Sequence, residues 1–316
     1  MYRYETLLVA ILIAVFGMIL PIGYYFINSI PGDPGLADFR SSSMIEQHAA
    51  VLTAFVVKPI YMLISFFIAV LLLKRSELVL KSLKWAMIFF FIGESFCAAN
   101  YLFAEKHDAH LLEYLHGLGM VLSFGFVAYA LFEWIDQYAL HYSEPGKKCS
   151  LSGFCRQCAK YEDVSCGLQS LFVYLGFAGA LIALMPLTAR IYTISYNTEI
   201  WGTLYNYNHP IIYQLFEFRY FPLLASGLFS VAALILWFGR HNRLHLSKMI
   251  FAAAVGPFGF SLFRLVVFHG YRSNLVWMDF WEEITEFIFV LRVISALWFF
   301  RKSVFKRESD LADVAG

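Results

Sequence analysis

The sequence predicts an all-α polytopic membrane protein of eight transmembrane helices, arranged as a 4+4 parallel internal repeat. Three observations predict this class. Of the 316 residues, 60% are hydrophobic and only 15% are charged, whereas soluble domains carry about 25% charged residues. Apolar runs of about 20 residues recur along the chain, and each is long enough to cross a ~30 Å hydrocarbon core as a helix. Finally, several short motifs of the first half return in the second.

Eight apolar segments are the predicted spans. They cover residues 5–28, 49–73, 80–103, 111–136, 167–189, 211–238, 247–270 and 275–300. We interpret the first as a retained helix, because its apolar run is longer than the usual signal-peptide core of about 7–15 residues. The Ser-Ile-Pro-Gly-Asp-Pro stretch that follows it is also a poor cleavage site. The net charge of +1 gives no indication of a nucleic-acid partner.

The loops between these spans differ in their content of Lys and Arg. If the N-terminus is cytoplasmic, the inside segments hold 16 of these residues and the outside segments hold 4. Short cytoplasmic loops carry an excess of positive residues, and this excess sets the orientation. We therefore expect a multi-pass protein of the cell's inner membrane, with both termini cytoplasmic and the lipid bilayer as its surroundings.

The two halves share motifs at similar offsets. Pro59 corresponds to Pro222 at an offset of 163 residues, and Met87 corresponds to Met249 at 162. An even number of spans per unit gives a parallel repeat about an axis along the membrane normal. The predicted division is a first half at 1–139, a Cys-rich cytoplasmic linker at 140–166, a second half at 167–302, and a flexible cytoplasmic tail at 303–316. Chance matching among Phe- and Leu-rich helices is the alternative.

Four of the five cysteines lie in the linker. They are Cys149, Cys155, Cys158 and Cys166, in the spacing C-x5-C-x2-C-x7-C. Cytosolic thiols are kept reduced, so a cytoplasmic linker favours metal ligands over disulfides. Four thiolates suit an iron–sulfur cluster or zinc. Interfacial thiols or palmitoylation sites are the alternative.

The arrangement of a longer gap, a C-x2-C pair and a second longer gap resembles the iron–sulfur loop of endonuclease III-type DNA glycosylases, whose spacing is C-x6-C-x2-C-x5-C. The resemblance covers 18 residues, and both outer gaps differ from that pattern. It implies an iron–sulfur cluster in preference to zinc, and it implies nothing about DNA.

Ionisable residues inside the predicted spans indicate a polar chamber. Such residues are costly in a membrane and usually face a bundle interior, a partner or water. Counted at about 1.5 Å per residue, nearly all of them lie in the outer half of the bilayer. The predicted chamber consists of Lys58, Glu94, His116, Glu217, Arg219, Arg264, Glu282, Glu283 and Glu286.

The last span carries the densest acidic set. Asp279, Glu282, Glu283 and Glu286 form one stripe on a helix face. Buried salt bridges between the halves, a site for a cation, proton or small polar ligand, and headgroup contacts by long side chains are the open interpretations. Glu286 is the deepest of the four, and we expect it to bind a proton, an ion, a ligand or Lys58.

Haem b is a further cofactor hypothesis, with His116 and His269 as its ligands. Both lie near the outer surface, and interfacial histidines are the alternative. Three functions remain open from sequence. The first is a redox protein that exchanges electrons with a membrane redox partner or a quinone. The second is an ion-coupled transporter in which the cysteine loop is a structural or regulatory clip. The third is a sensor or assembly subunit without turnover.

Overall fold

A computed structural model of the protein describes residues 38–103, 108–142, 149–150, 167–238 and 243–299. These residues are mostly helical. The long helices are α1 Met44–Leu71, α2 Leu78–Phe103, α3 Asp108–Trp134, α4 Gly167–Ile182, α5 Ile211–Phe238, α6 Leu244–Tyr271 and α7 Leu275–Phe299.

Among the described residues, six helical segments are long and apolar enough to cross a membrane, and they contain α1 to α6 in whole or in part. The helix α7 is not among them, because its first half carries the acidic stripe of the last predicted span. The prediction of a helical, multi-pass chain is confirmed at this level. The described helices correspond in place to seven of the eight predicted spans. The segment at 5–28 lies outside the described residues.

The all-α prediction is wrong in one region, where three strands form a small sheet. The strands are β1 Asp38–Phe39, β2 Ile194–Ile200 and β3 Thr203–His209. β1 pairs parallel to β2, and β2 pairs antiparallel to β3. Trp201 and Gly202 connect β2 to β3 with φ of 51° and 78°, as a two-residue hairpin turn requires.

The hairpin packs on the start of α7. The backbone N–H of Leu275 donates to the Tyr196 hydroxyl at 2.8 Å, and Tyr196 also packs with Phe218 and Met278. Burial raises the pKa of the neighbouring Tyr207 phenol, and the Asp279 carboxylate raises it further. We call this end of the bundle the hairpin end, and the opposite end, where α6 begins, the linker end.

Helix α3 is central and packs along both α2 and α6. Its approach to α2 is close because glycines face each other. A Cβ on Gly119 would lie 2.6 Å from the Cα of Gly93, which is closer than a side chain can come. Small residues of this kind let membrane helices approach backbone to backbone. By contrast, α6 and α7 meet over a much shorter interface.

In the described part of the chain, three π-helical turns interrupt or extend the helices. They are Thr53–Val57 in α1, Phe216–Tyr220 in α5, and Ile135–Leu140 directly after α3. A π-turn frequently marks a functional site in a helix. The first two turns start 163 residues apart, and each is followed at the same distance by proline, at Pro59 and Pro222.

Candidate functional site

A buried cluster of charged side chains occupies the hairpin half of the bundle. Helices α1, α2, α3, α5, α6 and α7 each contribute to it. We define the hairpin-end cluster as Lys58, Tyr61, Glu94, Glu113, His116, Glu217, Arg264, Glu282, Glu283 and Glu286. Most of these side chains are buried, and Glu94 is 0% exposed. The cluster therefore lies within the protein and not on its lipid-facing surface.

Lys58 and Tyr61 form the centre of the cluster. The Lys58 Nζ donates to Glu94 Oε2 at 2.7 Å and to Glu283 Oε1 at 2.8 Å. The Tyr61 hydroxyl lies 2.7 Å from Glu94 Oε2 and 2.9 Å from Glu286 Oε2, and it also contacts Glu283. Both side chains project from the same face of α1, because they are three residues apart.

His116 lies between the carboxylates of α2 and α7. Its Nδ1 is 3.3 Å from the Gly93 carbonyl oxygen and 3.3 Å from Glu94 Oε1. Its Nε2 is 3.8 Å from Glu282 Oε1 and 4.0 Å from Glu286 Oε1. The ring is 1% exposed, and Nε2 has no hydrogen-bond partner among the described residues. One ring nitrogen is therefore well supported, and the other faces two carboxylates across a gap.

Arg264 holds the other side of the cluster. Its Nε is 3.2 Å from Glu217 Oε1, and another guanidinium nitrogen pairs with Glu282 Oε2. His209, at the end of β3, extends this chain with its Nε2 at 3.1 Å from Glu217 Oε2. A cavity of about 20 Å³ lies beside Glu113 and Glu217, which is room for about one water molecule. The hairpin is therefore connected to the cluster by direct contact.

The structure brings together all but one of the residues predicted for the polar chamber. Arg219 is the exception, because its guanidinium donates to the backbone carbonyls of Pro186, Phe218 and Ala189. Tyr61 is the main omission from the prediction. A tyrosine in an apolar helix gives little signal by itself, but its position three residues after Lys58 could have revealed it.

Glu286 lies where the sequence places it, deep in α7, but its surroundings differ from expectation. Lys58, its expected partner, is shared by Glu94 and Glu283. In the described part of the chain, Glu286 contacts the Tyr61 hydroxyl through Oε2 and approaches His116 through Oε1. It therefore has no lysine or arginine within ion-pair distance among the described residues.

A second buried cluster lies at the linker end, and sequence reasoning missed it. The Lys248 Nζ is 2.8 Å from Glu133 Oε1 and also pairs with Asp136. The His245 Nδ1 is 3.7 Å from Glu133 Oε1. Lys248, Glu133 and Asp136 are each at most 5% exposed. We call this set the linker-end cluster. It joins the start of α6 to the end of α3.

The predicted metal and haem ligands are only partly described. Cys149 is a free thiol, buried against Tyr142, Leu236 and Leu244. Cys155, Cys158 and Cys166 lie outside the described residues, so the metal loop stays a prediction. The haem hypothesis also stays a prediction, because the side chain of His269 lies outside the described part.

The two clusters differ in charge balance. At the hairpin end, six carboxylates lie within 4.0 Å of a nitrogen of Lys58, Arg264 or His116. Lys58 and Arg264 are the two permanent cations that these carboxylates face.

The chain matches no family model, no curated protein and no solved structure. Function is therefore inferred from the sequence and the structure.

Proposed function

We propose that the protein is an ion-coupled membrane carrier and that the hairpin-end cluster is its ion-binding site. The observation that carries this proposal is the excess of six clustered carboxylates, four of them buried, over two permanent cations. Uncompensated buried charge is expensive in a protein interior and in a membrane. In this proposal, protons or bound cations supply the missing positive charge, and transport is coupled to their binding and release.

Interrupted helices support the same function. Lys58 directly follows the π-helical turn of α1, and Glu217 lies within the π-helical turn of α5. In transporters, interrupted membrane helices often surround the site where ions or substrates bind. The cluster is thus placed on helix segments that differ from regular α-helix, and the cavity beside Glu113 and Glu217 offers room next to the charges.

We also propose a topology for the carrier. The chain crosses the membrane eight times, both termini are cytoplasmic, and residues 1–139 and 167–302 form a parallel repeat. The equal offset of the two π-helical turns supports the repeat. The orientation would place the hairpin end outside and the linker end in the cytoplasm. A membrane-impermeant thiol reagent applied to intact cells should then leave Cys149, Cys155, Cys158 and Cys166 unlabelled. Labelling of these residues would contradict the proposed orientation.

The function is tested with purified protein in sealed vesicles. One set contains a pH-sensitive dye under an imposed membrane potential, and a second set exchanges tracer Na⁺, K⁺ or Mn²⁺ against the same unlabelled ion. We expect flux of one ion above that of empty vesicles, lost in Glu286→Gln and kept in Glu133→Gln. No flux of any of these ions, or equal flux in Glu286→Gln, would overturn the proposal.

A second candidate is a redox role based on the cysteine loop. It is favoured by the concentration of four of the five cysteines within residues 149–166. An iron–sulfur cluster there would give the purified protein a broad visible absorption, zinc would leave it colourless, and haem b would add a sharp Soret band. A quinone or another carrier would be its partner. Replacing Cys155 and Cys158 together should remove the metal measured by elemental analysis, and unchanged metal content would refute the loop as a metal site.

A further inference from the structure

Three groups of buried or partly buried side chains in the described residues bring potential metal ligands within 4.8 Å of one another. We infer that one of them, His116 Nε2 with Glu282 Oε1 and Glu286 Oε1, binds a divalent transition-metal ion. This inference rests on the proposed function and names the ion class for which the hairpin-end cluster is built.

The other two groups already have their ligand atoms in use. Glu94, Glu283 and Glu286 surround the Lys58 ammonium and the Tyr61 hydroxyl, which fill the space between them. In the group of Glu94, Cys97 and His116, the Cys97 Sγ accepts from Lys58 at 3.4 Å. His116 would have to use Nδ1 there, and that nitrogen already faces the Gly93 carbonyl.

The hydrogen bonding of His116 leaves one nitrogen free for a metal. Nδ1 lies 3.3 Å from two acceptors, the Gly93 carbonyl and Glu94 Oε1, so this nitrogen carries a hydrogen. A bound ion would take the lone pair of Nε2, the nitrogen that faces Glu282 and Glu286. A histidine that binds a metal usually donates its other N–H to a carbonyl or carboxylate, which fixes the ring. His116 has this support from α2.

The two carboxylates are supported in the same way. Arg264 pairs with Glu282 through Oε2, and Tyr61 contacts Glu286 through Oε2. In each case, Oε1 is the oxygen that faces His116. Nε2 lies 3.8 and 4.0 Å from the two oxygens, and all three atoms lie within 4.8 Å of one another. A point equidistant from them in their plane is roughly 2.0–2.5 Å from each, close to metal–ligand bonds of about 2.0–2.6 Å. All three ligands are therefore held by neighbours that leave the inward atoms available.

Charge and donor type select the class of ion. A divalent ion offsets more of the negative charge of the cluster than a monovalent ion does. An imidazole suits zinc, iron or nickel, and carboxylates also suit manganese. One nitrogen and two carboxylate oxygens therefore favour Mn²⁺, Fe²⁺ or Zn²⁺ over Na⁺ or K⁺. Three protein ligands leave further positions for water or a carried molecule.

Mn²⁺ is the probe of choice, because the thiolates of the cysteine loop favour softer metals. Chelator-treated protein in detergent is titrated with Mn²⁺, and free Mn²⁺ is followed by electron paramagnetic resonance. We expect one tightly bound ion per chain and a loss of affinity of ~100-fold or more in His116→Gln, beyond the effect of outer-shell changes. Pulsed resonance of wild-type protein should detect one coupled histidine nitrogen, which requires no variant to fold.

The matched control is His245→Gln at the linker end, which should bind Mn²⁺ as wild type does. The inference is overturned by wild-type protein without bound Mn²⁺, by bound Mn²⁺ without a coupled nitrogen, or by unchanged affinity in folded His116→Gln. Its failure is distinct from that of the proposed function. Glu286-dependent flux of protons, Na⁺ or K⁺ in vesicles without Mn²⁺ binding would remove the metal and keep the carrier.

Discussion

The hairpin-end and linker-end clusters both bury charged side chains between helices, but their charge balance is different. At the linker end, Lys248 lies between Glu133 and Asp136, with His245 beside Glu133. With histidines left out at both ends, two carboxylates there face one lysine, an excess of one. At the hairpin end, the six carboxylates outnumber the lysine and arginine three to one.

This difference separates two uses of buried charge. A nearly balanced set with short contacts can join two helices without any added ion, although a hydrophobic replacement of similar shape is often as stable. A set with a large excess of one sign needs something from outside the chain. The linker-end cluster is therefore interpreted as a structural joint of α3 and α6, and the hairpin-end cluster as a binding site.

The largest loss of stability is expected from breaking the balanced cluster. Lys248→Met would leave Glu133 and Asp136 buried without their lysine, which should reduce the free energy of unfolding by about 3–5 kcal/mol. Chemical unfolding in detergent measures the loss, and Lys74→Met at an exposed position is the control. Equal stability of the two variants would show that the linker-end cluster is not a structural joint.

A smaller loss is expected from separating α2 and α3 without changing charge. In Gly119→Ala, the new Cβ would meet Gly93 at 2.6 Å, and overpacking of this kind costs about 1–3 kcal/mol. His116 should bind its ion more weakly, because it contacts the Gly93 carbonyl. Gly227→Ala is the control, since its Cβ would have no neighbour within 4 Å. If Gly227→Ala lowered the thermal midpoint as much as Gly119→Ala does, close packing of α2 and α3 would not be the cause of the loss.

The smallest effect on stability is expected at Glu286, where the effect on function is greatest. Glu286→Gln keeps the shape and removes an unneutralised charge, so we expect the free energy of unfolding to change by less than about 1 kcal/mol while ion flux is lost. Glu133→Gln should show the reverse, with a loss of about 1–3 kcal/mol and normal flux. A Glu286→Gln protein with full flux and reduced stability would make Glu286 a structural partner.

Much of the architecture could be predicted from the sequence, because apolar length alone marks a helix that can cross a membrane. The described helices lie within a few residues of their predicted spans in most cases. Most residues of the hairpin-end cluster could also be predicted from the sequence, since charged residues such as Lys58 and Glu94 are rare in apolar helices and usually meet in the interior. Depth along each helix also places these two residues at similar levels.

Other features depend on contacts that sequence patterns do not specify. The hairpin strands lie between the predicted spans at 167–189 and 211–238, and the sequence does not predict them because they are short and lie between strong helix signals. Depth alone places Arg219 in the predicted chamber, yet its rotation about α5 directs it to backbone carbonyls. Lys248 resembled an ordinary cation of a basic loop. Its burial follows from the packing of α6 on α3.

The π-helical turn in α1 has a consequence for which face of that helix is inside. Before and within the turn, the buried positions are Glu46, Ala49 and Thr53. After it, they include Lys58, Tyr61 and Ser65. A regular helix that continued the first spacing would bury position 57, whereas Val57 is only partly buried. The turn inserts one residue and so shifts the phase of the inward stripe onto Lys58. Deleting a single residue there would rotate the lysine by about 100° relative to the preceding segment, away from Glu94 and toward lipid.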